Sequence, residues 1–202
     1  MPNTKPGLTI DKEGICSACR SVERKKLINW EDRATKLNQI CDEIRGSNGN
    51  GYDCVVPGSG GKDSAYTAHI LKYKYNMNPL TVTWAPHMYT EIGWKNFDNW
   101  IKIGGLDNIL FTPNGRVHKL LTKLAFVNLL HPFQPFIIGQ KIIGPLIALK
   151  FGINLIFYGE NQAEYGNAVE ENSNPKMDVK FFSTKNNSDI KFGGESLKKI
   201  LK

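Results

Sequence analysis

The stretch "CVVPGSGGKDSAYTAHILKY", Cys54 to Tyr73, runs from apolar residues through a knot of glycines into a helical pattern. A short buried strand that turns through Gly58, Gly60 and Gly61 into a helix, with Ala65, Ala68, Ile70 and Leu71 at helical spacing, is the first half of a βαβ unit. The alternation continues downstream. "PLTVTWAP" reads as a β-branched strand, "TEIGWKNFDNWIKIGG" as a helix opened by Thr90 and closed by glycines, and "DNILFTP" as another strand. "GRVHKLLTKLAFVNLL" and "FIIGQKIIGPLIALKFG" supply two more apolar helical segments, and "INLIFYGEN" is a strand ending in small and polar residues. Strands near 53–57, 80–84, 108–112 and 154–158, alternating with helices, predict an α/β fold: a mostly parallel sheet in a three-layer α/β/α arrangement.

The flanks read differently. "MPNTKPGLTIDKEGICSACRSVERKK" is turn-rich, whereas "INWEDRATKLNQICDEIRG" spaces Trp30, Ala34, Leu37, Ile40, Cys41 and Ile44 as a helix, which the "GSNGNG" cluster ends. Beyond Tyr165, "GNAVEENSNPKMDVKFFSTKNNSD" is polar and irregular, and "GGESLKKILK" reads as a short basic helix. The expected organisation is an N-terminal Cys-x-x-C segment and helix over 1–50, a ligand-binding domain over 51–168, and a polar extension over 169–202. At 202 residues and 41% hydrophobic, the chain is long enough to bury a real core. Its formal net charge of +7 favours anionic ligands or partners such as nucleotides, sugar nucleotides or RNA. There is no apolar run of about 18 residues and no signal pattern at the start, so a cytoplasmic location without membrane association is expected. Four cysteines are too few and too uneven for a secreted disulfide framework, which points to reduced thiols or a metal site.

In an open parallel sheet, ligands sit at the carboxyl ends of the strands. The first such loop is Pro57-Gly58-Ser59-Gly60-Gly61-Lys62-Asp63-Ser64. Its glycines allow positive φ and close backbone approach, exposing N–H groups beside a helix N-terminus, a geometry that receives phosphates. Lys62 adds a cation, Ser59 and Ser64 add hydroxyls, and Asp63 supplies a carboxylate for Mg2+. The plain alternative is a glycine-rich turn with an ordinary helix cap. A Walker loop is excluded because Val56 stands at its first glycine and Asp63 follows Lys62. The dinucleotide fingerprint fails because Asp63 stands where its third small residue should pack. Thr83, closing the second strand, and Gly159, after the fourth, join the loop in the expected nucleotide site. Glu160, Asn161, Glu164 and Tyr165 in "YGENQAEYGN" are candidate substrate contacts, as is His87 in "WAPHMY", against the alternatives of a helix cap and a solvent-facing turn histidine. Trp84, Trp94 and Trp100 are candidates for stacking on a base, with core packing expected for at least two. Cys16 and Cys19 are candidate zinc ligands, half of a tetrahedral set; the alternatives are oxidation or packing as small residues.

The string "SGGKDS" after a short apolar strand resembles the pyrophosphate loop of the ATP pyrophosphatase superfamily. "TVTWAPHMYTEIGWKNFDNWIKIGGLDNIL", "TPNGRVHKLLTKLAFVNLLHPFQPFIIGQK" and "IFYGENQAEYGN" are similar to the N-acetyl sugar amidotransferases of surface-polysaccharide and flagellar-glycan pathways, over most of residues 1 to 168. The resemblance implies an adenine nucleotide alpha hydrolase-like fold and an ATP-binding domain over 51–168. It implies cleavage of ATP between the α and β phosphates, with Lys62 and Asp63 as the catalytic pair and Mg2+ as cofactor. AMP is placed on a sugar acetamido oxygen, and ammonia from a glutaminase subunit like that of histidine biosynthesis replaces it to give an acetamidino sugar. It also implies that related chains carry another Cys-x-x-C before the "MPNTKPG" segment and extend beyond residue 202, so truncation at both ends is expected. Two alternatives stand beside it. One is a tRNA sulfur-transfer enzyme sharing the loop, although neither a massed basic RNA path nor a catalytic cysteine near the site is visible in the sequence. The other is an inactive nucleotide-binding fragment.

Overall fold

The computed structural model describes residues 8–49, 51–160 and 191–200. The chain divides into two compact units; among the described residues the first holds 8–42 and the second holds 43–160 with 191–200.

The first unit contains α1 (Ser17–Lys26) and most of α2 (Trp30–Ile44). Asp11 organises the turn before α1: its carboxylate accepts the N–H groups of Glu13 and Ile15 at 3.0 and 2.9 Å and the Arg20 Nε at 2.7 Å. Ile10 and Cys16 form an antiparallel bridge across that turn. Helix α1 has no apolar stripe to announce it, and none of its residues is buried. Arg20 instead ties it to Asp11, Glu13 and Glu23, a network that contributes more than any one exposed pair would. These bonds also hold the Asp11 carboxyl below its ordinary range, the Arg20 hydrogen bond foremost. Helix α2 is where the apolar spacing places it, and Asn29 caps it by accepting the N–H groups of Glu31 and Asp32.

The second unit is built as β1 (Cys54–Pro57), α3 (Lys62–Tyr73), β2 (Pro79–Trp84), α4 (Glu91–Lys102), β3 (Asp107–Phe111), α5 (Gly115–Leu129) and α6 (Gln134–Phe151). A hairpin, β4 (Lys191–Phe192) and β5 (Glu195–Ser196), and a single turn, α7 (Leu197–Ile200), follow. The three main strands are parallel in the order β1-β2-β3, with Cys54 opposite Pro79 and Leu80 opposite Asp107. A small parallel sheet flanked by helices is therefore the architecture, as the alternation predicts.

The fourth expected strand is reduced to one parallel bridge, Val55 to Ile156. The Val55 N–H donates to the Leu155 carbonyl and the Phe157 N–H to the Val55 carbonyl, both at 2.9 Å. The next rung would need an N–H on Pro57, which has none, so the ladder stops there. On its other side the chain keeps going, because the Gly58 N–H donates to the Val82 carbonyl at 2.9 Å.

One face of the sheet presents Val55, Leu80 and Val82 to Ile143, Ile147 and Ala148 of α6 and to Ile153. Each valine, leucine or isoleucine among them, fully buried, stabilises the fold by about 1.5–3 kcal/mol. The alternate residues Cys54, Val56, Thr81 and Thr83 are fully buried too. Buried hydroxyls need partners, and Asn108 Nδ2 donates to Thr81 Oγ1 at 2.9 Å and Thr83 Oγ1 at 3.0 Å, while the Thr81 hydroxyl donates to the Asp107 carbonyl at 2.6 Å. The hairpin is not anticipated by its polar sequence. Gly193 and Gly194, both at positive φ, make its turn, and the Gly193 carbonyl accepts from Asn128 of α5 at 2.9 Å. The expected basic helix is the one-turn α7 that follows. Among the described residues no helix is long and apolar enough to cross a membrane.

Candidate functional site

The loop from Gly58 to Gly61 leaves β1 at its carboxyl end and opens α3, the position at which a parallel sheet offers its ligand site. Each glycine has a distinct reason to be there. A Cβ on Gly58 would stand 2.4 Å from Ser64 Cβ and 2.9 Å from the Trp100 ring, so the loop folds tightly over the first turn of α3. Gly60 has φ +82°, and a Cβ on it would come within 2.7 Å of Phe97 Cα, which seats the loop backbone against α4. Gly61 is the N-cap of α3 in extended conformation, and the space beside it is open. A glycine cap has no side chain to satisfy the first N–H groups of α3, those of Lys62, Asp63 and Ser64. They are the donors a phosphate would meet, with the positive end of the helix behind them.

Lys62 is 87% exposed and its Nζ lies 2.5 Å from Asp63 Oδ1. The ammonium and the carboxylate sit together at the loop's exit. The Ser64 hydroxyl donates to the Gly61 carbonyl at 3.1 Å, bracing the turn from within. Ser59 is half-buried in the loop and Pro57 packs against Gly144, whose Cβ would come within 2.7 Å of it. The fourth segment reaches the same place: a Cβ on Gly159 would lie 2.6 Å from the Ser64 nitrogen, so Gly159 lies directly on the first turn of α3. Glu160 follows it, exposed. The structure thus brings Pro57 to Ser64, Gly159 and Glu160 together. Asn161, Glu164 and Tyr165 lie outside the described residues.

Two expected contacts sit elsewhere. Thr83 is fully buried with its hydroxyl accepting from Asn108. His87 belongs to an aromatic group on the α5 and α6 side: its ring meets His118 at 4.6 Å, Phe136 at 5.3 Å and Phe133 at 6.0 Å, and Nε2 is 3.5 Å from Thr122 Oγ1. Burial first, and then the neighbouring His87, push the His118 imidazole below its ordinary value. Sequence reasoning missed Phe97, against whose backbone Gly60 seats, and His118; Trp100, a stacking or core candidate, is core and lies against Gly58. The three-residue spacing of Trp94, Phe97 and Trp100 marks one face of α4, but not what packs on it.

The expected zinc centre is corrected. Among the described residues no three His, Cys, Asp or Glu side chains stand together in a way that would hold a metal ion, at Cys16 and Cys19 or around Asp63. The two cysteines are free thiols, Sγ to Sγ 3.4 Å. Backbone and side-chain hydrogen bonds from Cys19 lower the Cys16 thiol, and the same shared proton raises Cys19. Two thiols supply half of a closed tetrahedral site, and the other half is not among these residues.

No family model matches the chain. It is similar to an uncharacterized protein of Methanocaldococcus jannaschii, 32% identical over 79 residues. That match covers 39% of this chain and 28% of the archaeal protein, so the chain matches little more than a quarter of that relative's length.

Proposed function

We propose that this chain is an ATP-dependent, AMP-forming amidotransferase acting on an acetamido sugar, on an adenine nucleotide alpha hydrolase-like three-layer fold. The observation that carries the reading is the loop itself: uncapped N–H groups of α3, Lys62 and Asp63 at its first turn, and Gly159 closing on it from the far side of β1. A triphosphate seated there has its β and γ phosphates on the helix N-terminus. The acetamido oxygen attacks the α phosphorus, the bond to the β-phosphate oxygen breaks, and the N–H groups and Lys62 take up the charge that develops on departing pyrophosphate. The amide oxygen, a poor leaving group, now leaves as AMP. Ammonia adds to the imidate carbon, AMP departs, and the added proton stays on the amidinium product. No protein nucleophile enters this sequence. Ammonia comes from a separate glutaminase subunit, and the sugar arrives as a nucleotide sugar.

The test is to incubate the chain with ATP, ammonium and UDP- or CMP-linked acetamido sugars, following pyrophosphate and product mass. Replacement of O by NH lowers the mass by about one unit and adds a basic group, the signature of an amidine. Pyrophosphate release without that product would refute the sugar reading, and incorporation of sulfur into tRNA would replace it.

A further inference from the structure

We infer that Trp94 is the platform on which the nucleobase stacks when the loop holds a nucleotide's phosphates. This rests on the reading of the loop as a phosphate site. The three tryptophans of the second unit have different surroundings. Trp100 is 6% exposed beneath Gly58, and Trp84 lies stacked on Phe111 at 4.8 Å and against Gly139. Trp94 is 48% exposed. Its position on α4 follows from two contacts. The loop touches α4 at Asn96 and Phe97, where a Cβ on Gly60 would meet the helix backbone. Trp94 is three residues earlier, on the same helix face and one turn nearer the helix N-terminus.

Helix α4 follows β2, so its N-terminus lies at the carboxyl edge of the sheet, where the loop opens. Side chains on a helix lean toward its N-terminus, which aims the indole past the loop and away from the core. The ring is fixed from behind: Tyr89 meets it edge-on at 5.0 Å, and Phe97 lies against it at 5.6 Å. A half-exposed indole, braced by two aromatic rings and one helical turn from a phosphate loop, presents a π-face at low ordering cost. Such a face takes a nucleobase through stacking, with little preference among bases. Specificity for adenine would then come from elsewhere in the site.

Calorimetric titration of wild type, Trp94→Ala and Trp94→Phe with ATP, inorganic tripolyphosphate and UDP-N-acetylglucosamine tests this. The alanine variant is expected to bind ATP ~5- to ~150-fold more weakly, the loss measured for one stacked base, and phenylalanine to restore most of it. Tripolyphosphate, which has no base, should bind all three proteins equally. Unchanged ATP affinity in Trp94→Ala overturns the inference, and so does a parallel loss of tripolyphosphate, which would mark a structural role. Weakening of the UDP-sugar alone would place the uracil, not adenine, on Trp94 and overturn the assignment to ATP. Failure of wild type to bind either ATP or tripolyphosphate removes the phosphate site itself, a result distinct from the other three.

Discussion

Gly60 carries two constraints at one residue, a left-handed backbone and contact with the backbone of α4. Substitution by alanine should cost about 1–2 kcal/mol for the left-handed conformation and about 1–3 kcal/mol for the overlap with Phe97, read as a lowered urea midpoint. Lys62 presents the opposite case. As an 87% exposed side chain, it should tolerate Lys62→Ala with a stability change within about 0.5 kcal/mol, while under the proposed function pyrophosphate release falls about 100-fold. Asp63→Ala should weaken release as well with the far-UV spectrum unchanged; wild-type rates in both variants would unseat the loop's proposed role. His118 makes a pH prediction. Its folded value lies below 6.5, so between that value and 6.5 the unfolded chain binds the extra proton. Stability from this group is complete above about pH 6.5 and is lost as pH falls through the folded value. Urea midpoints of wild type and His118→Gln between pH 8 and 5 should converge toward the acid end if the sign is right.

At the scale of elements, the legible parts were those whose signal is local. Thr90 marked the start of α4, and its side chain does accept the Gly93 N–H at 3.0 Å. The apolar periods of α2, α3, α5 and α6 and the β-branched runs of β2 and β3 were readable because one buried face writes one period. Helix α1 was not, since charge pairs at Arg20 hold it and no stripe records them. The hairpin at Gly193 was hidden by its brevity. The fourth strand was over-read for a reason that stood in the sequence: Pro57 removes the donor its ladder needed. The tight turn of the loop from β1 into α3 was legible in its glycines, but its support by Phe97 and Trp100, and the position of His87 beside His118, are long-range facts that no local pattern encodes. Packing between elements gives a further prediction. Gly139 lets α6 close on Trp84, and a Cβ there would stand 2.3 Å from the indole. Gly139→Ala should therefore destabilise by about 1–3 kcal/mol despite the better helix propensity of alanine, as thermal denaturation would show.

At the scale of the whole molecule, the four cysteines bear on the proposed chemistry. Cys41 and Cys54 are fully buried, and Cys16 and Cys19 face each other. Under the proposed function, the purified chain should therefore aminate its sugar with ammonium but not with glutamine, until a glutaminase is added. Its rate with ammonium should climb with pH, because only unprotonated ammonia attacks; efficient use of glutamine by the chain alone would overturn the partner model. The contact between Gly159 and the first turn of α3 has a consequence in time. The loop emerges from the ribosome early, but the segment that completes its wall is made only after α4, β3, α5 and α6. At synthesis rates of about 5–20 residues per second, the loop spends several seconds as half a site, its glycines unbraced on that side. A nascent chain stalled before Gly159 would carry the whole glycine loop and yet lack one wall of the place it makes.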